Sequence, residues 1–115
     1  MLTIYGIKNC NSMKKAFDLV SELNIKYEFH DYKKLGIDAE TLKKWLDAKG
    51  QDLILNKKGT TWKKLTETEQ QQALSNQESL IQALITHTSL IKRPVIDTGH
   101  SFIVGFNEDE IRALK

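Results

Sequence analysis

The chain has almost nothing with which to crosslink or stiffen itself: its 115 residues include one cysteine, Cys10, and one proline, Pro94. A lone thiol excludes an internal disulfide, fits a reducing compartment, and obliges any redox chemistry to take its second thiol from outside. The formal net charge is only +2, too small an excess to point to nucleic acid. No apolar run approaches the roughly 20 residues that cross a bilayer. The start, Met1-Leu2-Thr3-Ile4-Tyr5, carries no basic leader. These absences lead us to expect a cytoplasmic, monomeric protein with neither membrane nor nucleic-acid partners. His30, His87 and His100 are scattered and form no metal-ligand spacing with Cys10, so no metal is expected.

What is present has a clear order. Residues 2–5 read as a short buried strand. Met13, Ala16, Phe17, Val20 and Leu23 recur at helical spacing, which predicts a helix over about 12–23 with one face on a sheet. Asn24 ends it, and Tyr27-Glu28-Phe29-His30-Asp31-Tyr32 alternates as a half-buried strand. Strand, helix and strand in so short a span imply a right-handed crossover and a parallel pair.

After a loop over 33–37 the pattern turns helical. Asp38 caps a helix with Leu42, Trp45 and Leu46 on one face and Gly50 at its end. Leu53-Ile54-Leu55 is a short apolar piece; Thr66 with Glu69 matches a capping box, and Asn76 opens a helix striped by Leu80, Ile81, Leu84 and Ile85. Pro94-Val95-Ile96-Asp97 and Ser101-Phe102-Ile103-Val104 read as an antiparallel hairpin, and Asn107 with Glu110 caps a last helix. The order βαβ, helices, ββα resembles the thioredoxin-like arrangement: an α/β fold with a mixed four-stranded sheet and an inserted helical segment. One domain over 1–115 is expected, with sheet halves about 1–35 and 88–115 and a helical insert about 38–87.

This order places Cys10 between the first strand and the first helix, where unpaired helix amides favour an anion. Lys8, Lys14 and Lys15 surround it in sequence, and Asn9 and Ser12 offer hydrogen bonds. Pro94 heads the third strand; in thioredoxin-like folds such a proline is typically cis and lies beside the reactive thiol, so a cis Arg93-Pro94 bond is expected. A phosphatase loop fails because Ala16 stands where its arginine would be, and a CxxC pair fails because position 13 is Met13.

Tyr5-Gly6-Ile7-Lys8-Asn9-Cys10, His30-Asp31-Tyr32, Lys58-Gly59-Thr60-Thr61-Trp62, Ser89-Leu90-Ile91-Lys92-Arg93-Pro94 and Val104-Gly105-Phe106 together resemble the arsenate reductase superfamily, its ArsC, Spx and YffB branches, and most of all the YffB-type small reductases. The resemblance covers essentially the whole chain. It implies a nucleophilic Cys10, an anion-holding Arg93, and glutathione as co-substrate supplying the second thiol. The sequence departs from the arsenate enzymes at two of their further arginines, where it has Asn56-Lys57-Lys58 and His100-Ser101, and four residues past the cysteine, where Lys14 replaces arginine. Arginine's planar fork binds an oxyanion through paired hydrogen bonds and lysine does not, so arsenate reduction is disfavoured.

The function expected is therefore a glutathione-dependent thiol reductase acting on a disulfide or oxyanion substrate. Cys10 and Arg93 are its catalytic residues; Lys8, Asn9, Ser12, Lys57, Lys58 and Pro94 surround sulfur or glutathione. Lys57, Lys58, Lys63 and Lys64 flank Trp62 and read equally well as a seat for glutathione's carboxylates or as a solvated face over a core tryptophan. The alternative is a non-catalytic protein-binding or redox-sensing module of the Spx-like regulator type.

Overall fold

The computed structural model describes all of residues 1–115. Four strands, β1 (Leu2–Gly6), β2 (Tyr27–Asp31), β3 (Val95–Asp97) and β4 (Phe102–Val104), form one sheet in the order β2-β1-β3-β4. β1 pairs parallel with β2, with Ile4 opposite Phe29, and antiparallel with β3, with Ile4 opposite Ile96. β3 and β4 are the expected hairpin, with Ile96 opposite Ile103. This is the mixed thioredoxin-like sheet anticipated from the element order.

The chain divides into two compact units, one of residues 1–35 with 93–115 and one of residues 36–92. The first carries the sheet, α1 (Asn11–Glu22), the short α2 (Tyr32–Leu35) and α8 (Glu108–Arg112). Its core is Leu2, Ile4, Met13, Leu19, Val20, Ile96, Ile103 and Ile111. Ile4, Met13, Val20, Ile96 and Ile111 are wholly inaccessible, each contributing about 1.5–3 kcal/mol of transfer free energy. Asn24 takes a positive φ of 59° and so ends α1, as its sequence position implied.

Gly6 positions α1. A Cβ built on Gly6 would fall on the thioether of Met13, touching its Sδ and lying 2.6 Å from its Cε. The missing side chain thus lets the first turn of α1 close down on the end of β1. Met13 is adaptable in shape but fully buried. Gly6→Ala should cost about 1–3 kcal/mol by overpacking, read as a lower urea midpoint, and slow Cys10 alkylation by displacing the turn that carries it.

The second unit is helical: α3 (Ala39–Lys49), α4 (Gln51–Ile54), α5 (Thr60–Lys64), α6 (Glu67–Ala73), α7 (Gln77–Thr86) and a 3-10 turn at Thr88–Leu90. The caps read from sequence are formed. Asp38 accepts from the Thr41 amide at 2.8 Å, Asn76 from Ser79 at 2.8 Å, and Thr66 with Glu69 closes a reciprocal capping box. Leu42, Trp45, Leu46, Leu80, Ile81 and Leu84 are buried, while Ile85 is only partly so.

Four boundaries differ from expectation. Tyr32 leaves β2 and begins α2, in the stretch taken as loop, because the Asp31 carboxylate turns the chain by accepting the Lys33 amide at 2.9 Å. Leu53-Ile54, read only as a short apolar piece, is helical. Thr60–Lys64, read only as a basic-aromatic stretch, is a helix whose Trp62 is buried. Residues 88–92 belong to the helical unit instead of the strand half. Backbone pairing holds them there: Leu55 bridges Ile91, Asn56 N donates to Leu90 O at 2.8 Å, and Lys92 N to Ile54 O at 2.8 Å.

Candidate active site

Strand register brings three chain segments to one end of the sheet. Gly6 pairs with Asp31, so the C-terminal ends of the parallel β1 and β2 lie side by side. Tyr5 pairs with Val95, so antiparallel β3 starts at that same end. The loop carrying Cys10, the residue after β2, which is Tyr32, and Arg93-Pro94 therefore converge. The carboxyl end of strands in an open α/β sheet is the usual place for a site. The Arg93-Pro94 bond is cis, as expected.

Cys10 is the N-cap of α1, with extended backbone and its carbonyl accepting the Lys14 amide at 2.9 Å. It is a partly buried free thiol. Its side chain makes no capping hydrogen bond of ordinary geometry, as suits a neutral thiol, which is a poor acceptor. A thiolate is a strong acceptor, and the amides of Met13 and Ser12 face it. Burial pushes the Cys10 thiol up, but the Met13 and Ser12 N–H groups, the Arg93 charge and a hydrogen bond from Arg93 outweigh it and hold the thiol below its ordinary value.

The cation that acts on the thiol thus comes from 83 residues further along the chain, not from the lysines beside it in sequence. Lys8 and Asn9 are exposed. Lys14 pairs with Asp18 at 3.4 Å, and Lys15 lies over the Phe106 ring at 6.0 Å. Ser12 contributes through its backbone amide rather than its hydroxyl. The other arginine, Arg112, is engaged with Glu108 at 2.8 Å and Glu22 at 3.3 Å. Arg93 is therefore the arginine available to the sulfur.

Lys57 and Lys58 belong to the helical unit, where with Asp52, Asn56 and Lys92 they line an open cavity of about 250 Å³. Lys57 Nζ stands 6.0 Å from the centroid of the buried Trp62 ring. The tryptophan is core, and the lysines are exposed, Lys57 and Lys58 around the cavity. Among histidine, cysteine and carboxylates no group of three is assembled that would hold a metal.

The sequence reading gave no role to the aromatic groups at this end of the sheet. Tyr5 and His30 rings lie 4.7 Å apart, and His30 meets Tyr32 edge-on at 6.3 Å. Tyr32 is 3% exposed. Its place at the end of the alternation over 27–32 suggests a strand, and the His30-Asp31-Tyr32 run enters only as part of the family resemblance. No helix of the protein is long and apolar enough to cross a membrane.

Comparison with known proteins agrees with this geometry. The ArsC family profile matches residues 5–114. A solved YffB protein superposes with a TM-score of 0.92 at 39% identity, covering 99% of this chain and 98% of its own. An arsenate reductase (ArsC) related protein from Brucella melitensis gives 0.74 at 40% identity, covering 97% and 92%. The global transcriptional regulator Spx 1 of Oceanobacillus iheyensis is 30% identical over 97% of this chain and 85% of its own length. The fold is thus shared by reductase-related proteins and by transcriptional regulators. With nearly the whole chain matched and the thiol, arginine and cis-proline at one sheet end, this protein belongs to the ArsC family.

Proposed function

We propose that the chain is a glutathione-dependent thiol reductase of the cytoplasm that works with one cysteine. The observation that carries this reading is Cys10 at the N-cap of α1 with Arg93 acting on its sulfur, in a chain that holds no second cysteine. The Cys10 thiolate attacks one sulfur of a disulfide; a bond forms to Cys10, the substrate S–S bond breaks, and the other half leaves as a thiolate that solvent protonates. No internal thiol resolves the product. A glutathione thiolate attacks the mixed disulfide, takes the bound half as a glutathione disulfide, and returns Cys10 to its thiolate.

Arg93 steadies the thiolate between turnovers and meets an anionic group of the incoming partner. Lys8 and Asn9, exposed on the loop before Cys10, and Pro94 beside Arg93 border the path of glutathione. Lys57 and Lys58 are the proposed seat of its carboxylates. Arsenate is the weaker substrate on this reading, since lysines and His100-Ser101 stand where the resemblance calls for arginines. Reduction of 2-hydroxyethyl disulfide, followed by NADPH consumption through glutathione reductase, tests it. The rate should rise and saturate with glutathione; a rate no higher than the protein-free blank rejects the reading.

The Spx relatives favour a second reading, a protein-binding module in which Cys10 is at most a sensor. Binding to purified RNA polymerase that is equally tight for the wild type and Cys10→Ser, with no disulfide turnover, would select it.

A further inference from the structure

At the site's sheet end one buried polar group is without a partner. The Tyr32 hydroxyl is inaccessible to solvent and makes no hydrogen bond. A phenylalanine would fill the same space without an unsatisfied group, so the oxygen disfavours this state of the protein. Its location is specific: Tyr32 directly follows Asp31, which pairs with Gly6, and so lies beside the start of the Cys10 loop, at the same end of the sheet at which β3 begins one strand further on. Arg93 hydrogen-bonds the Cys10 sulfur, and its charge is also felt, more weakly, at the Tyr32 phenol, so the guanidinium lies within electrostatic reach of both.

Arg93 loses its anionic partner during the cycle. In the thiolate state the sulfur accepts from it; once Cys10 is in a mixed disulfide the sulfur is neutral and a poor acceptor. We propose that Tyr32 is a positioning residue for Arg93, its buried phenol oxygen accepting a guanidinium N–H while Cys10 is disulfide-bonded, and releasing it when the thiolate returns. This rests on the thiol-exchange reading above. It explains why the oxygen is unpaired with the thiol free: its partner is then at the sulfur.

The phenol suits the task because it remains neutral. Burial and the neighbouring Tyr5 phenol push its ionisation well above the ordinary tyrosine value, against a smaller opposing pull from Arg93. A phenolate would hold Arg93 and keep it from Cys10; a neutral oxygen gives a weaker bond that the thiolate outcompetes.

The test uses the neutral 2-hydroxyethyl disulfide, which needs no glutathione recognition. Intact-protein mass spectrometry reads the ratio of mixed disulfide to free Cys10 at equilibrium in wild type, Tyr32→Phe, Arg93→Ala and the double variant. Tyr32→Phe should lower that ratio about tenfold or more, the size of one net hydrogen bond to a charged group, and leave the thiolate titration of Cys10 unmoved. In the Arg93→Ala background the same change should have no effect. An unchanged ratio overturns the proposal, and so does an equal fall without Arg93, which marks a purely structural tyrosine. Should Tyr32→Phe not fold, Tyr32→Met removes the same oxygen. A wild type that forms no mixed disulfide rejects the thiol-exchange reading itself, an outcome distinct from a mixed disulfide indifferent to Tyr32.

Discussion

Cys10→Ser is expected to reduce disulfide turnover to the uncatalysed background while leaving the fold intact. The substitution exchanges sulfur for oxygen at an N-cap, where serine is among the preferred residues and its oxygen accepts from the second or third amide of the helix. Met13 and Ser12 supply those amides, so α1 should start in the same place and stability should be equal or slightly higher. Chemistry does not survive the exchange. An unactivated hydroxyl is a poor nucleophile, and the influences that hold the thiol below its ordinary value are far too small to ionise an alcohol. Because the chain has no other cysteine, no substitute nucleophile of the same kind exists. Steady-state rates and a urea melt, taken together, check this; turnover above one part in a thousand of wild type in a folded Cys10→Ser protein would place the chemistry elsewhere.

Arg93→Ala should raise the Cys10 titration midpoint and slow iodoacetamide alkylation near neutral pH by about threefold to tenfold, the range for losing a charge-assisted contact to a partly buried thiolate. At high pH, where both proteins are fully ionised, the two rates should converge. The amides of Met13 and Ser12 remain in the variant, so its thiol should still titrate below a thiol without them. Linkage has a definite sign. A thiol is an acid whose folded-state value is depressed, so its contribution to stability is complete above the unfolded value of about 8.5 and fades as pH falls through the folded value. The stability lost in Arg93→Ala should therefore be larger at pH 9 than at pH 6. Alkylation rates between pH 5 and 10 and paired urea melts at those two pH values decide it. An unmoved midpoint would remove Arg93 from the site's electrostatics.

Much of this protein can be read directly from its residues. Apolar spacing in α1 marks Met13, Ala16, Phe17, Val20 and Leu23 as its inner face; Met13, Ala16 and Val20 are inaccessible, and Phe17 and Leu23 are partly buried. Caps are local devices, so Asp38, Thr66 with Glu69, Asn76 and Asn107 announce their helices without help from the fold. Short elements escape this kind of reading. α4 and α5, of four and five residues, are too brief for a period to show, and Trp62 is buried among lysines that suggest a surface. Tyr32 continues the alternation of β2 and is lost to a turn made by the side chain before it.

The sequence by itself determined where the thiol sits. A lone cysteine between a strand pattern and a helix pattern sits at a helix N-terminus whatever the rest of the chain does, because three successive stretches of backbone settle it. Only the tertiary structure decided what surrounds that sulfur. Lys8, Lys14 and Lys15 are neighbours in sequence but stay in solvent or turn to Asp18 and Phe106, whereas Arg93 reaches the thiol from the far end of the chain. Tyr32 joins them for the same reason. The physical cause is pairing: β1 takes β2 on one edge and β3 on the other, and the register of those two ladders, which no single strand encodes, sets which side chains share one end of the sheet.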